Sequence, residues 1–299
     1  GDLVYAFSKA TGELVSLRRG THELLKAPVT IDCFRVPVGG ESHCFRTNTF
    51  GLARLRDGLR NMKPTLASLS AVRKESDGAL SLTCVVRYRG IRKEDAPWFC
   101  HGDGGKIADC GAVDADAPGV EATSEWRFCG DDGVALRTTF RPFGRPTEFS
   151  RMGWRFVFDE PETDVRYFAL GPHDNYPDRR TCCFAAVHSA PSTAFGFRYG
   201  VNQDNGTRGE ARWVELAKPG VRFDVAGDRL FSFAVTPYSP TELMENAHPE
   251  INPDPVKTEL GLYARVRGLG SGNCGPEPLP RDRIAAGETC VLDVSIRQR

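Results

Sequence analysis

Apolar residues along this chain recur most often at every second position, which is the period of a half-buried β-strand. Trp154, Phe156 and Phe158 alternate with Arg155 and Val157, and similar segments occur through most of the sequence. The segments predicted as strands are residues 3–7, 13–17, 80–84, 120–128, 134–140, 154–158, 165–170, 195–199, 212–216, 221–225, 230–235, 260–266 and 291–296. The pattern therefore predicts an all-β protein of antiparallel strands.

Helical patterns are few and short. Residues 52–62 carry leucines at helical spacing, and residues 241–247 follow Pro240 with Thr241 as the expected N-cap. Residues 96–118 are rich in Gly, Asp and Cys, lack a period, and are predicted to form a long loop. Because no internal repeat or linker divides the chain, we expect residues 1–299 to form one domain of two large packed sheets.

Composition excludes several classes of partner. Lys plus Arg and Asp plus Glu both total 39, so the net charge gives no reason to expect a nucleic-acid or membrane partner. Neither is there an apolar run long enough to span a bilayer.

The ten cysteines form no CxxC pair, so we expect reduced, mostly buried thiols, no metal site and no cofactor. Reduced thiols indicate that the protein is located in a reducing compartment, and the cytoplasm is the expected one.

Candidate chemistry concentrates in the turn after the predicted strand 165–170. Residues 171–180 read GPHDNYPDRR, with a polar group at almost every position. One interpretation is a structural corner stabilised by Asp178–Arg179 or Asp174–Arg180 ion pairs. The other is a rim loop that faces a sugar, because carbohydrate-binding sites combine hydrogen-bond donors, acceptors and aromatic rings in this way.

The same turn carries a resemblance to a known family. It resembles the Gly-Pro-(His/Gln)-(Glu/Asp)-Asn-Tyr-Pro-Asp-Arg signature in the C-terminal, small-chain domain of glycoside hydrolase family 2 β-galactosidases. Three further motifs of that domain follow in the right order, at residues 202–213, 233–248 and 268–276, and residues 7–14 resemble its opening hairpin. Residues 34–41 depart from the family pattern, because Arg35 and Pro37 are kept but the acidic run that follows them is missing.

The resemblance implies an antiparallel supersandwich of the galactose mutarotase type, with few short helices. It also implies that residues 1–299 are the C-terminal part of a larger enzyme. In that family the two catalytic glutamates belong to a barrel domain of the same parent chain, so no catalytic residue is carried over to this one. The barrel domain and a galactoside or other carbohydrate are the implied partners. The sequence leaves open the sugar, its linkage and whether the protein forms a homo-oligomer.

The resemblance also assigns candidate site residues. A glycine-rich loop of the family reaches the mouth of the barrel, which makes Asn273, Cys274 and Gly275 candidate substrate-binding residues. His173 is a further candidate on different grounds, because it is the only histidine in a turn crowded with carboxylates. Cys274 stands where some members carry Trp and others carry Cys, and it offers no aromatic face for stacking.

Other polar residues of these motifs are predicted to be structural. We expect Asp178 and Arg179 to stabilise the turn. Arg208 and Arg212 are expected to form a buried ion-pair network near Asp204.

Two alternative functions remain open. A mutarotase-like epimerase would use His173 with Asp174 or Glu210, and it needs a second histidine on the same face. The candidates for that second histidine are His22, His43, His101, His188 and His248. A stand-alone carbohydrate-binding module would instead show exposed aromatic side chains along its concave face.

Overall fold

A computed structural model describes residues 3–41, 50–95, 107–130, 133–218, 221–246, 248–271 and 275–299. The strands in these ranges are β1 (Leu3–Phe7), β2 (Leu14–Arg19), β3 (His22–Glu23), β4 (Leu25–Asp32), β5 (Met62–Leu69), β6 (Arg73–Lys74), β7 (Leu80–Gly90), β8 (Lys93–Asp95), β9 (Ala108–Gly111), β10 (Gly119–Phe128), β11 (Val134–Phe143), β12 (Arg151–Phe158), β13 (Asp164–Gly171), β14 (Phe184–Pro191), β15 (Thr207–Lys218), β16 (Val221–Thr236), β17 (Thr258–Val266) and β18 (Cys290–Gln298). The α-helices are α1 (Phe50–Arg56) and α2 (Pro240–Glu245). None of the helices that the structure describes is long and apolar enough to cross a membrane.

Thirteen of these strands belong to one antiparallel sheet, which divides at the long strand β16. The first part of β16 pairs with β18, and its last part pairs with β17. One layer therefore runs β14-β13-β15-β16-β18-β11-β10-β7-β5, and β17-β12-β4 leaves it to form the second layer. The predicted all-β antiparallel architecture is confirmed, and the two expected sheets are two layers joined through β16.

Aromatic side chains of β12 fill the space between the layers. The Trp154 ring lies 6.0 Å from that of Tyr88 on β7 and 5.5 Å from that of Phe140 on β11. Its indole nitrogen donates to the Thr138 hydroxyl at 2.9 Å, so the one polar atom of the ring is satisfied inside the core. Phe156 packs in the same way against Phe223, at 5.7 Å between centroids.

Several predicted elements differ from the structure. Residues 195–199 form no strand, because Phe195 follows a 3₁₀ turn (Ser192–Ala194) and is buried there. The predicted strands 221–225 and 230–235 are parts of one strand, β16. The expected loop 96–118 contains β9, which pairs with β8.

The helix predictions are partly wrong. Helix α1 ends at Arg56, before the turn at Gly58, whose φ of 73° lies in the left-handed region. Helix α2 is capped by Ser239 instead of Thr241. The Ser239 hydroxyl accepts from the Glu242 amide at 3.2 Å, and the Glu242 carboxylate accepts from the Ser239 amide at 2.7 Å.

Candidate functional site

The turn after β13 is shaped by one buried amide side chain. Asn175 donates from Nδ2 to the Leu170 carbonyl at 3.0 Å and to the His173 carbonyl at 3.1 Å. Its Oδ1 accepts from the Gly209 amide on β15 at 2.9 Å. These bonds fold the turn back onto the end of the sheet, and the turn begins with a cis peptide between Gly171 and Pro172.

Asp178 joins this turn to the glycine-rich loop that follows β17. Its Oδ1 accepts from the Leu269 amide at 2.9 Å, and its Oδ2 accepts from the Gly270 amide at 2.8 Å. The approach is close, since a Cβ at Gly268 would lie 2.6 Å from the Asp178 carboxyl carbon. Two motifs that are distant in sequence are therefore brought together by one carboxylate.

The space between turn and loop is an open cleft of about 780 Å³. It is lined by Val38, Gly39, residues 177–181, Gln203, residues 269–271, residues 276–279, Arg281 and Asp282. Asp178 and Arg179 thus line the cleft, and the exposed Gly275 lies at the end of the loop, where its amide donates to the Ser271 carbonyl. Asn273 and Cys274 lie outside the described residues.

A buried ionic cluster supports the base of the glycine-rich loop. Arg35 donates to the main-chain carbonyl groups of Arg267 and Gly268 and pairs with the Glu41 carboxylate. Arg267 in turn contacts Glu41 at 3.3 Å and Glu277 at 2.5 Å. Burial alone would lower the pKa of the Arg35 guanidinium, but Glu41 beside it raises that pKa above its usual value. The loop is therefore held at its base by charge-assisted bonds.

A second buried network lies beneath the turn. Arg151 contacts Asp32 at 2.9 Å and Asp204 at 3.0 Å. The hydroxyl of Tyr176 donates to Asp204 at 2.8 Å, and that of Tyr263 donates to Asp32 at 2.9 Å. Burial raises the pKa of the Asp204 carboxyl, and the nearby Arg151 opposes this rise.

The prediction that Arg208 and Arg212 form an ion-pair network near Asp204 is wrong, because Arg151 is the guanidinium that pairs with this carboxylate. Arg208 is buried, donates to the Tyr167 hydroxyl at 3.1 Å and to the Phe195 carbonyl at 2.9 Å, and lies over the Phe195 ring. Arg212 is exposed and stacks over a ring on β13. Sequence reasoning missed Arg151 because it lies in a strand pattern far from every polar motif.

The charged residues of the turn have other partners than the ion pairs predicted inside it. Arg180 pairs with Glu210 on β15. Asp174 accepts from the Tyr199 hydroxyl at 3.2 Å. Partial burial opposes ionisation of Arg179, but Tyr199 and Asp174 nevertheless raise the pKa of its guanidinium.

The described histidine candidates make separate contacts. His173 is exposed, and its carbonyl accepts bonds that shape the turn. His188 lies on β14, with a ring nitrogen 3.2 Å from the Phe184 carbonyl and its ring against that of Tyr167. These contacts do not join a second histidine to His173, so the epimerase alternative stays a prediction.

The cysteines are more exposed than predicted. Within the described residues seven are free, of which Cys33, Cys84 and Cys290 are buried. Cys182 and Cys183 are neighbours whose sulfur atoms lie 3.9 Å apart. In the same residues, no group of three or more His, Cys, Asp or Glu side chains is arranged to hold a metal ion.

Comparison with known proteins identifies the family. The sequence model of the family described as "Beta galactosidase small chain" matches residues 1–296. The chain belongs to the β-galactosidase small-chain family. This match confirms the predicted family and supports a glycosidase-related role for the chain.

The chain is similar to several curated relatives and solved structures. The β-galactosidase of Arthrobacter sp. (strain B7) is 28% identical over 185 residues, which cover 60% of this chain and 18% of that enzyme. The β-galactosidase BgaC of Bifidobacterium adolescentis is 23% identical over 320 residues, which cover 99% of this chain and 30% of that enzyme. The chain thus spans less than a third of the length of these relatives. A putative aldose 1-epimerase from Escherichia coli K12 aligns with a TM-score of 0.44 and 13% identity, covering 100% of this chain and 96% of that one.

Proposed function

We propose that residues 1–299 act as one domain, the small-chain domain of a longer β-galactosidase-like glycoside hydrolase. In this proposal the cleft forms part of the mouth of the active site and binds carbohydrate there. The observation that carries the proposal is the pair of hydrogen bonds that the Leu269 and Gly270 amides donate to the Asp178 carboxylate. They bring the turn and the glycine-rich loop to one opening, and the resemblance implies that the glycine-rich loop reaches that mouth.

The catalytic groups are supplied by a separate domain of the longer protein. A glycosidase needs two carboxyl groups on either side of the scissile bond, at about 5–5.5 Å from each other when the configuration is retained. The contribution of the small-chain domain is to position the rim. The buried Arg35–Glu41–Arg267 cluster supports this role, because a loop with a rigid base loses little conformational entropy when sugar binds.

The side chains of the cleft suit a hydroxylated ligand. Arg179, Glu277, Arg281 and Asp282 all line it, so both cationic and anionic side chains border the cleft. Sugar hydroxyl groups donate and accept at once, so they satisfy both kinds of group. Cys274 supplies no aromatic face, so this rim relies on polar contacts and not on stacking.

The test uses the longer protein in which the chain occurs. Arg281 lines the cleft, its side chain is 80% exposed, and it can be removed without opening the core. We expect Arg281→Ala to raise KM for a β-galactoside with kcat little changed, because ground-state and transition-state contacts are lost together. Arg141→Ala, at an exposed position on β11, is the matched control.

Replacing Cys274 with Trp in the same protein tests the loop directly. The added ring should strengthen binding of galactosides through stacking and leave the melting temperature near that of the parent. Unchanged kinetics in both Arg281→Ala and Cys274→Trp would overturn the assignment of this cleft to the active-site mouth.

A further inference from the structure

A second cavity of about 350 Å³ lies beside the cleft, and we call it the aromatic pocket. The residues of the pocket that carry the inference are Phe197, Arg198, Tyr199, Gln203, Tyr238 and Glu250. Gln203 lines both the aromatic pocket and the cleft, and its Oε1 accepts from the Gly39 amide at 3.2 Å. The two cavities are therefore neighbours, with Gln203 on the border of both.

The pocket presents aromatic rings to solvent. The side chain of Phe197 is 62% exposed, which makes it the most exposed large hydrophobic residue in the described part of the chain. Its ring centroid lies 4.7 Å from that of Tyr199, so the two rings form one continuous apolar surface. Covering such a surface removes apolar area from water, and the C–H face of a sugar ring has the size and shape to do so.

The positions of the phenol rings are fixed from outside the pocket. The Tyr199 hydroxyl donates to Asp174 at 3.2 Å, and the Tyr238 hydroxyl donates to the Pro253 carbonyl at 2.9 Å. Two of the aromatic walls are thus oriented before a ligand arrives, which reduces the entropy lost on binding.

The charges at the pocket indicate a neutral ligand. Arg198 and Glu250 face each other at 3.8 Å, with side chains 69% and 66% exposed. The two opposite charges cancel, so the site offers a donor and an acceptor without a net attraction for an anion or a cation. A volume of about 350 Å³ falls within the usual range for small-molecule sites of roughly 300–1,000 Å³.

We propose that the aromatic pocket is an accessory subsite for a neutral saccharide, and that it extends the cleft so that the domain prefers oligosaccharides over disaccharides. Occupancy of the pocket by a saccharide stands on the pocket alone. Its role as an extension of the cleft rests on the proposed function above. In that role Phe197 and Tyr199 stack on a sugar unit, while the Arg198–Glu250 pair binds its hydroxyl groups.

The experiment is a calorimetric titration of the purified chain with lactose and with a β-linked galactotetraose. We expect the tetrasaccharide to bind about tenfold more tightly than lactose, the equivalent of about 1.4 kcal/mol. Phe197→Ala should abolish this difference, and it leaves the core intact because the ring is exposed. Phe184→Ala is the matched control, since Phe184 is 60% exposed but lies on the edge strand β14 outside the pocket.

The outcomes separate this inference from the proposed function. Loss of tetrasaccharide affinity in Phe197→Ala with no effect of Arg281→Ala supports the pocket and contradicts sugar binding in the cleft. The reverse pattern supports the cleft and overturns the pocket. Equal affinity for both sugars, an equal effect of Phe184→Ala, absence of binding, or tighter binding of an acidic tetrasaccharide also overturns the pocket proposal.

Discussion

Asp178 and Leu269 are 91 positions apart in sequence, yet the carboxylate Oδ1 of the first accepts from the backbone amide of the second at 2.9 Å. The other oxygen of Asp178 accepts from Gly270. Both acceptors of one exposed side chain are used to hold a backbone loop. Asp178 therefore decides how far the glycine-rich loop lies from the turn, and with it the width of the cleft.

Asp178→Ala should lower the free energy of unfolding by about 1.5–3 kcal/mol, the range for hydrogen bonds to a charged group. Urea denaturation measures the loss, and amide hydrogen exchange at Leu269 and Gly270 should accelerate in the same variant. Asp228→Ala, at an exposed position of β16, is the control and should change stability little. Unchanged exchange at the two amides would show that the carboxylate does not hold the loop.

The buried Arg151 network predicts a larger effect. Arg151→Met leaves Asp32 and Asp204 buried without their shared counter-ion, which should cost about 3–5 kcal/mol. Adding Asp32→Asn and Asp204→Asn to that variant should recover much of the loss, because the uncompensated charges are then removed. Chemical denaturation of the single and triple variants measures both steps, and a single variant as stable as the parent contradicts the account.

The cap of α2 predicts a pH dependence. Burial alone would raise the pKa of the Glu242 carboxyl, but Lys257 and the Ser239 backbone lower it below its usual value. A carboxyl whose pKa is lower in the folded chain stabilises the fold above the unfolded pKa of about 4.3 and loses that contribution as pH falls through the folded value. Melting curves of the parent and Glu242→Gln should therefore differ at neutral pH and converge in acid. A stability difference between the two proteins that grows as the pH falls would contradict this prediction.

The thiols should separate into fast and slow groups. Burial raises the pKa of Cys84 to about 11 and that of Cys290 to about 12, so both should resist iodoacetamide, whereas the exposed Cys182 should react early. Peptide mapping over time measures the order. Cys274 lies outside the described residues. The resemblance predicts that it is labelled early in the isolated chain and slowly in the longer protein, and early labelling of Cys84 would contradict the core assignment.

The strands were predictable because their signal is local. Alternation along residues 154–158 marks β12, and the aromatic residues of that strand do pack between the layers. Residues 195–199 show where this reasoning fails. Phe195 is buried by packing against Tyr167 and Phe233, not by strand pairing, and periodicity cannot distinguish the two causes.

The partners of the polar residues were not predictable, because they depend on which strands become neighbours. Asp204 lies near Arg208 and Arg212 in sequence, but the arginine that pairs with it, Arg151, is 53 positions away. The nearer Arg208 turns instead toward Tyr167 and Phe195. Likewise the role of Asp178 depends on the glycine-rich loop that follows β17 in sequence. The spacing of residues in the motif around Asp178 does not reveal this contact.

The most direct test of the central claim compares three proteins for turnover of a chromogenic β-galactoside. They are the purified chain, the proposed longer enzyme, and that enzyme without residues 1–299. The account predicts turnover by the intact longer protein, none by the chain alone, and a strong loss when the chain is removed. Turnover by the isolated chain that survives repurification and is lost on mutating His173, or full activity of the truncated protein, would contradict it.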